Sequence, residues 1–189
     1  MAFFSMFKPK WKRGSKLDRY RTIEEIDNQA RLGRIAKKCR AEDLIPMVVD
    51  KISDPVILAR VARKAKDSYA RWAATCKITD QNVLMQIARK EKDRNVRRVA
   101  VSDVTDQVFL AEFALNDPDN DVKKKAIKNL TNPHILAQIA KTEPDSGVRW
   151  YAVNNIEDCN LLLTLSQSDP DESVRRCAKT KLREIKKEA

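Results

Sequence analysis

The stretch DRNVRRVAVSDV, residues 93–104, decides the fold, because nearly the same pattern returns as DSGVRWYAVNNI at residues 145–156. Val96, Ala100 and Val104 recur at intervals of four residues, which places them on one face of a helix. The arginine pair that follows Val96 is open to two interpretations. It can be a phosphate-binding site, or it can be a part of the architecture that every copy needs.

The pattern repeats every 26 residues through most of the 189-residue chain. The strictest column is a leucine, found at Leu58, Leu84, Leu110, Leu136 and Leu162. A second column is an aspartate, at Asp67, Asp93, Asp119, Asp145 and Asp171. A third is basic, at Arg71, Arg97, Lys123, Arg149 and Arg175. Short helices of this kind cannot bury an apolar stripe alone, so successive repeats are expected to stack around one continuous core.

Each repeat is expected to hold two helices of about ten residues, with an aspartate before each helix to accept a free backbone N–H. Pro118, Pro144 and Pro170 are expected to end the second helix. We therefore predict an all-α fold, a right-handed α-solenoid of two-helix repeats with a 26-residue period. Residues 17–189 are expected to form a single domain, with repeats starting near residues 15, 41, 67, 93, 119 and 145 and a partial repeat from residue 171.

The string DxxVRxxA, followed by an aliphatic residue, an aspartate and LxxIA, resembles HEAT-like repeats, and most closely the leucine-rich-repeat-variant group among them. The resemblance covers residues 41–185 well and residues 15–40 faintly. It implies an armadillo-like fold and a binding scaffold, and it specifies no activity. Some leucine-rich-repeat-variant proteins carry an N-terminal cysteine cluster for an iron–sulfur centre. Cys39 is the only cysteine that precedes Cys76 in this chain, so no cofactor is expected.

The basic column suggests an answer to the question of the arginine pair. A residue present in every repeat indicates architecture, and the resemblance implies that Arg97 and its equivalents pair with acidic residues and carbonyl groups of adjoining repeats. Arg98 belongs to a column that varies, so it is expected to face outward. The other members of that column are Pro46, Trp72, Lys124, Trp150 and Arg176.

Positive charge is concentrated near the N-terminus, because residues 1–40 hold 12 Lys/Arg against 4 Asp/Glu, whereas residues 41–189 hold 26 against 23. On the second helices, eight of the first nine positions opposite the apolar stripe are basic. These eight candidate binding residues are Arg34, Lys37, Lys38, Arg60, Arg63, Lys64, Arg89 and Lys90. They form either an ordinary solvated face or a binding patch, on the concave or the convex side.

Residues 1–16 combine aromatic and basic side chains, including Phe3, Phe4, Phe7 and Trp11. The segment is predicted to be a cap over the first repeat or a mobile tail. The alternatives are a peptide that docks on a partner and a contact with a membrane surface. Membrane contact is not expected, since the segment is short and Pro9 interrupts any helix, and no apolar run of the chain reaches the roughly 20 residues of a membrane span. The four dispersed cysteines are expected to be core residues in a reducing, cytoplasmic setting.

Catalytic and metal-binding motifs are absent from the sequence, and the one histidine, His134, has no evident partner residue. HEAT-like folds include glycosylases for alkylated DNA bases and bilin lyases, but no site here matches them residue by residue. We therefore predict a protein that is not an enzyme and has no small-molecule substrate, metal or cofactor. The expected function is a scaffold that presents a curved helical surface to a protein partner, which can be acidic. The alternative is nucleic-acid or polyanion binding through the basic positions of the N-terminal repeats.

Overall fold

The computed structural model describes residue 11, residues 14–39 and residues 43–188. This part of the chain contains 13 α-helices and no strand, which confirms the all-α prediction. The chain forms two compact units, Met1–Val83 and Leu84–Ala189, called here the N-terminal unit and the C-terminal unit. The α-solenoid, its handedness and the single domain over residues 17–189 stay predictions.

The N-terminal unit contains five helices and the start of a sixth. They are α1 (Lys16–Glu24), α2 (Gln29–Lys38), α3 (Ile45–Asp50), α4 (Pro55–Lys64), α5 (Ser68–Thr75) and α6 (Gln81–Lys90). Within the unit, α2 packs against α4 and α3 packs against α5. Helices that hold the same place in successive sequence repeats are therefore neighbours. Ile23, Leu32 and Leu44 lie in its core, each fully buried.

The C-terminal unit contains the end of α6 and seven further helices. They are α7 (Arg94–Ser102), α8 (Gln107–Asn116), α9 (Asn120–Lys128), α10 (Pro133–Thr142), α11 (Ser146–Asn154), α12 (Cys159–Ser168) and α13 (Glu172–Glu188). Here α9 packs between α7 and α11, and α11 also packs against α13. Leu110 and Leu162, from the leucine column, are fully buried. At 17 residues, α13 is longer than the expected ten, because no proline or cap interrupts it.

The predicted helix caps are confirmed. The Oδ1 of Asp93 accepts from the N–H of Asn95 at 2.8 Å and of Val96 at 3.3 Å, at the start of α7. The second helices begin in the same way at Asp54, Asp80, Asp106 and Asp158. Asn28 and Asn132 occupy the same column and cap α2 and α10, although only aspartates were predicted as caps. The second helices α8, α10 and α12 end two residues before the prolines expected to stop them.

Side chains also tie the first helix of one repeat to the next repeat within each unit. The Nζ of Lys77 donates to the carbonyl of Asp50 at 2.8 Å in the N-terminal unit. In the C-terminal unit, the Nδ2 of Asn129 donates to the carbonyl of Ser102 at 2.9 Å. The Nδ2 of Asn155 likewise donates to the carbonyl of Ile127 at 2.7 Å. These bonds satisfy carbonyl groups that the end of a helix leaves free.

The cysteine prediction is half right. None of the four, all of which lie in the described part of the chain, forms a disulfide; Cys39 and Cys177 are buried, whereas Cys76 and Cys159 are exposed. Burial raises the pKa of the Cys177 thiol. The two exposed residues lie at a helix end and a helix start, where the side chain points away from the apolar stripe.

Of the predicted cap or tail at residues 1–16, all but Trp11 and residues 14–16 lie outside the described part of the chain, and Trp11 is buried.

Candidate functional site

The first arginine of the repeated pair belongs to the architecture. The Nε and Nη2 of Arg149 donate to the two carboxylate oxygens of Asp169, each at 2.9 Å. Its Nη1 donates to the carbonyls of Glu143 and Pro144, both at 3.0 Å. One guanidinium thus joins the end of α10, in the preceding repeat, to the end of α12, in its own repeat. Arg97 makes the same contacts with Asp117 at 2.9 Å and the Lys92 carbonyl at 2.8 Å.

This geometry corrects one detail of the prediction. The carbonyl partners belong to the adjoining repeat, as the resemblance implied, but the carboxylate partner belongs to the same repeat. Hydrogen bonding to Asp169 raises the pKa of Arg149 above its ordinary value. Burial works to raise the pKa of Asp169, but hydrogen bonds from Arg149 and from the Asp171 N–H outweigh it, and that pKa is lowered. The first arginine of the pair, Arg97 or Arg149, is therefore not a free anion site.

The N-terminal unit holds six of the eight predicted binding residues, on two helices that pack against each other. We call them the α2–α4 basic face: Arg34, Lys37, Lys38, Arg60, Arg63 and Lys64. Lys37 is half-buried and the other five are exposed. Within the described part of the chain, none of the six forms an ion pair with a carboxylate. Their charges are therefore available to a partner.

The ends of α2 and α4 lie against each other, because the backbone N–H of Lys66 donates to the carbonyl of Lys37 at 3.2 Å. Lys37 and Lys38 are in the last turn of α2, and Arg63 and Lys64 are in the last turn of α4. Basic residues there also stabilise a helix by about 0.3–1 kcal/mol each through its dipole. That contribution applies to each of these four cations, but Arg34 and Arg60 lie outside the last turns and gain nothing from it.

The other two predicted binding residues, Arg89 and Lys90, lie in the C-terminal unit. The Nη2 of Arg89 donates to Glu112 Oε2 at 2.7 Å, and its guanidinium lies 5.1 Å from the ring centre of Phe109. Hydrogen bonding to Glu112 raises the pKa of Arg89. Because Glu112 offsets its charge, Arg89 is a weaker candidate than the six residues of the α2–α4 basic face. Lys90 is exposed.

The two units differ in charge. Residues 1–83 hold 19 Lys/Arg against 10 Asp/Glu, a net charge of +9, whereas residues 84–189 hold 19 against 17, a net of +2. One column explains part of this difference. The residue after the second helix is Asp117 or Asp169 in the C-terminal unit, but Cys39 or Ala65 in the N-terminal unit. The sequence carried this signal, since the column recurs once in every repeat, but sequence reasoning missed it.

No group of three or more potential metal ligands occurs among the described residues. Over the same residues, no helix has both the length and the apolar character that a membrane crossing requires. His134 is exposed at the start of α10, where its backbone N–H is capped by Asn132 at 3.0 Å.

Comparison with protein-family models finds no match to this chain, and comparison with curated proteins finds none either. Function is therefore inferred from the surfaces of the two units.

Proposed function

We propose that this protein is a non-enzymatic binding scaffold, an α-solenoid of HEAT-like repeats that presents a curved helical surface to a protein partner. The α2–α4 basic face is the contact surface, and an acidic patch on the partner is its complement. One observation carries the proposal: six cations on two adjacent helices have no carboxylate partner among the described residues. The absence of a disulfide among the four described cysteines favours a reducing compartment, which we take to be the cytoplasm.

The charge pattern favours binding over simple solvation. On an ordinary solvated surface, cations and anions are interspersed, and the C-terminal unit follows that pattern with a net charge of +2. The α2–α4 basic face departs from it inside the same chain. Like charges on one face repel one another and lower stability, and an acidic partner removes that repulsion. Complementary charge also raises the rate of encounter with such a partner.

Nucleic acid or another polyanion is the second candidate, because unpaired cations also bind backbone phosphates without sequence preference. Binding to single strands usually adds aromatic side chains on which bases stack. Neither α2 nor α4, the two helices that carry the α2–α4 basic face, contains an aromatic residue. This composition favours a protein partner.

The test is a matched pair of triple variants. Arg34→Glu, Lys37→Glu and Lys38→Glu reverse the charge of the basic face on α2. The control places glutamate at the equivalent positions of α10, Gln138, Lys141 and Thr142, four repeats later. A partner recovered with the immobilised chain is purified, and its Kd is measured for all three proteins.

We expect the α2 triple variant to weaken partner binding by at least roughly tenfold, with the α10 control unchanged. Equal Kd values for wild type and the α2 variant contradict the proposal. Retention of RNA or DNA at low salt, with no protein partner and with loss in the α2 variant, establishes the second candidate instead.

A further inference from the structure

A groove runs beside α4 in the N-terminal unit, with a volume of about 550 Å³. One wall is the start of α4, with Pro55, Val56 and Ala59, and the other is the turn over residues 77–80. Val56 contributes an apolar surface, since 63% of it is exposed. Four cations line the same groove: Arg60, Arg63, Lys64 and Lys77.

The C-terminal unit has a groove at the equivalent place, three repeats later in the sequence. Its volume is about 700 Å³, and it is lined by Pro133 and His134 at the start of α10 and by the turn over residues 155–158. The same repeat position thus forms a groove in both units. Its shape follows from the repeat, and its chemistry depends on the residues that line it.

The first residue of the second helix determines whether this space is filled. In α2 that residue is Gln29, whose Oε1 accepts from the N–H of Ser53 at 2.9 Å and of Asp54 at 3.3 Å. Its Nε2 donates to the carbonyl of Lys51 at 3.0 Å. Gln107, at the start of α8, bridges to the Thr131 N–H at 2.8 Å in the same way. The glutamine amide therefore fills the space between a second helix and the turn of the next repeat.

Proline replaces that glutamine at both grooves, because Pro55 begins α4 and Pro133 begins α10. A proline side chain has no amide with which to bridge. The N–H groups of Thr79 and Asp80 correspond to those of Ser53 and Asp54, which bind Gln29. Among the described residues, neither of these two N–H groups donates to another group. The groove therefore exposes two N–H donors at the place where an amide oxygen lies in the first repeat.

The two grooves differ in the charge of their linings. The groove beside α4 has its four cations against one carboxylate, that of Asp80. The groove beside α10 is balanced, because its lining has two cations and two carboxylates, those of Lys128, Lys181, Glu157 and Asp158. The Nζ of Lys77 donates to two neutral carbonyls, which leave its positive charge uncompensated. Free N–H donors are thus combined with a net positive lining beside α4 and not beside α10.

We propose that the groove beside α4 binds an acidic peptide segment of the partner protein. A carboxylate of the peptide takes the place that the Gln29 oxygen holds in the first repeat and accepts from the N–H groups of Thr79 and Asp80. A neighbouring apolar side chain contacts Val56, and further carboxylates pair with Arg60 and Arg63. The inference rests on the proposed function and names the segment that the basic surface recognises. Hydrogen bonds that involve a charged acceptor are about twice as strong as neutral ones.

Pro55→Gln is the decisive variant, because it introduces the bridging amide that Gln29 and Gln107 supply in their repeats and changes no charge. Gln29 and Gln107 show that glutamine fits the first position of these helices. The matched control is Pro133→Gln in the groove of the C-terminal unit. The probe is a short fluorescent peptide of glutamates with one central leucine, and its affinity is measured by fluorescence anisotropy. Thermal unfolding of each variant verifies that it folds.

We expect Pro55→Gln to weaken peptide binding by at least about tenfold and Pro133→Gln to leave it unchanged. A second variant, Arg60→Gln with Arg63→Gln, should also weaken binding and reduce its dependence on salt. No binding of the peptide by the wild type, or equal affinity for wild type and Pro55→Gln, overturns the inference. The inference is also overturned if the wild type binds an oligonucleotide but not the peptide, and Pro55→Gln abolishes that binding. Such a result assigns the groove to phosphate.

The two proposals can fail separately. If Pro55→Gln retains full peptide affinity while the α2 triple variant loses the partner, the groove is excluded and the scaffold function stands. If Pro55→Gln loses the peptide while the α2 triple variant keeps the partner, the groove binds acidic peptides and the α2 part of the proposed contact surface is wrong.

Discussion

Replacement of Arg149 by alanine should destabilise the C-terminal unit more than any substitution of an exposed charge. Arg149 and Asp169 are 7% and 5% exposed, and the arginine donates four hydrogen bonds. Arg149→Ala leaves the Asp169 carboxylate buried without its cation, and breaking a buried pair in this way costs about 3–5 kcal/mol. With a urea slope of about 1–3 kcal/mol per molar, the midpoint should fall by about 1 M or more. Urea unfolding followed by circular dichroism measures this shift.

Arg175 provides the matched control for this substitution. It occupies the same column and donates to the carbonyls of Asp169 and Pro170, at 2.6 and 3.0 Å, but among the described residues it forms no ion pair with a carboxylate. Arg175→Ala should therefore cost only about 0.5–1.5 kcal/mol for each net hydrogen bond lost. The double variant Arg149→Met with Asp169→Ala should recover much of the loss, because it removes both buried charges. Equal costs for Arg149→Ala and Arg175→Ala refute the assignment of Arg149–Asp169 as a buried structural pair.

Three further predictions concern stability. Leu110→Ala should lower the free energy of unfolding in urea by about 2–5 kcal/mol, because Leu110 is fully buried. Arg98→Ala should change it by no more than roughly 0.5 kcal/mol. A larger loss for Arg98→Ala than for Leu110→Ala contradicts the assignment of inner and outer helix faces. Hydrogen bonds from Ser173 lower the pKa of Asp171 to about 2. The ionised Asp171 carboxylate therefore stabilises the fold at pH values above the ordinary aspartate range, and this stabilisation is lost as pH falls towards 2. Acid unfolding of Asp171→Asn, compared with that of wild type, measures the loss. Asp145→Ala should cost about 0.5–2 kcal/mol through loss of the cap on α11, as thermal unfolding should report.

Periodicity made the helices predictable from the sequence. Columns of leucine and alanine recur at helical spacing, and burial of an apolar stripe selects that spacing, so Leu110 and Ala100 were placed in the core correctly. The caps were predictable for the same reason, since an N-cap needs a short side chain that accepts hydrogen bonds. The search for aspartate alone missed Asn132, which supplies the same acceptor oxygen.

Partners within the columns were harder to predict than the columns. The contact of Arg149 with Asp169 joins the first helix of a repeat to the end of its second helix, and only the packing of α11 against its neighbours determines which acid the guanidinium reaches. Arg98 illustrates a second difficulty. Its column varies, which predicts an outward position, yet Arg98 is half-buried, as long basic side chains often are when their aliphatic stems cover apolar surface. Cys76 and Cys159 were misplaced because cysteine type alone does not determine which helix face a residue occupies.

The glutamine-to-proline exchange separates what packing requires from what recognition requires. The grooves at Pro55 and Pro133 lie at the same repeat position and have the same backbone turn opposite. If packing determined the charges that line them, the two grooves would have the same charges. They differ instead, with Arg60 facing one groove and Gln138 at the equivalent position of the other repeat. Arg60 and Lys64, which correspond to Gln138 and Thr142, therefore answer no requirement that the two repeats share, and they contribute to the net charge of +9 and to the repulsion within that unit. The acidic peptide proposed for this groove would supply the compensation that the described residues of that unit lack.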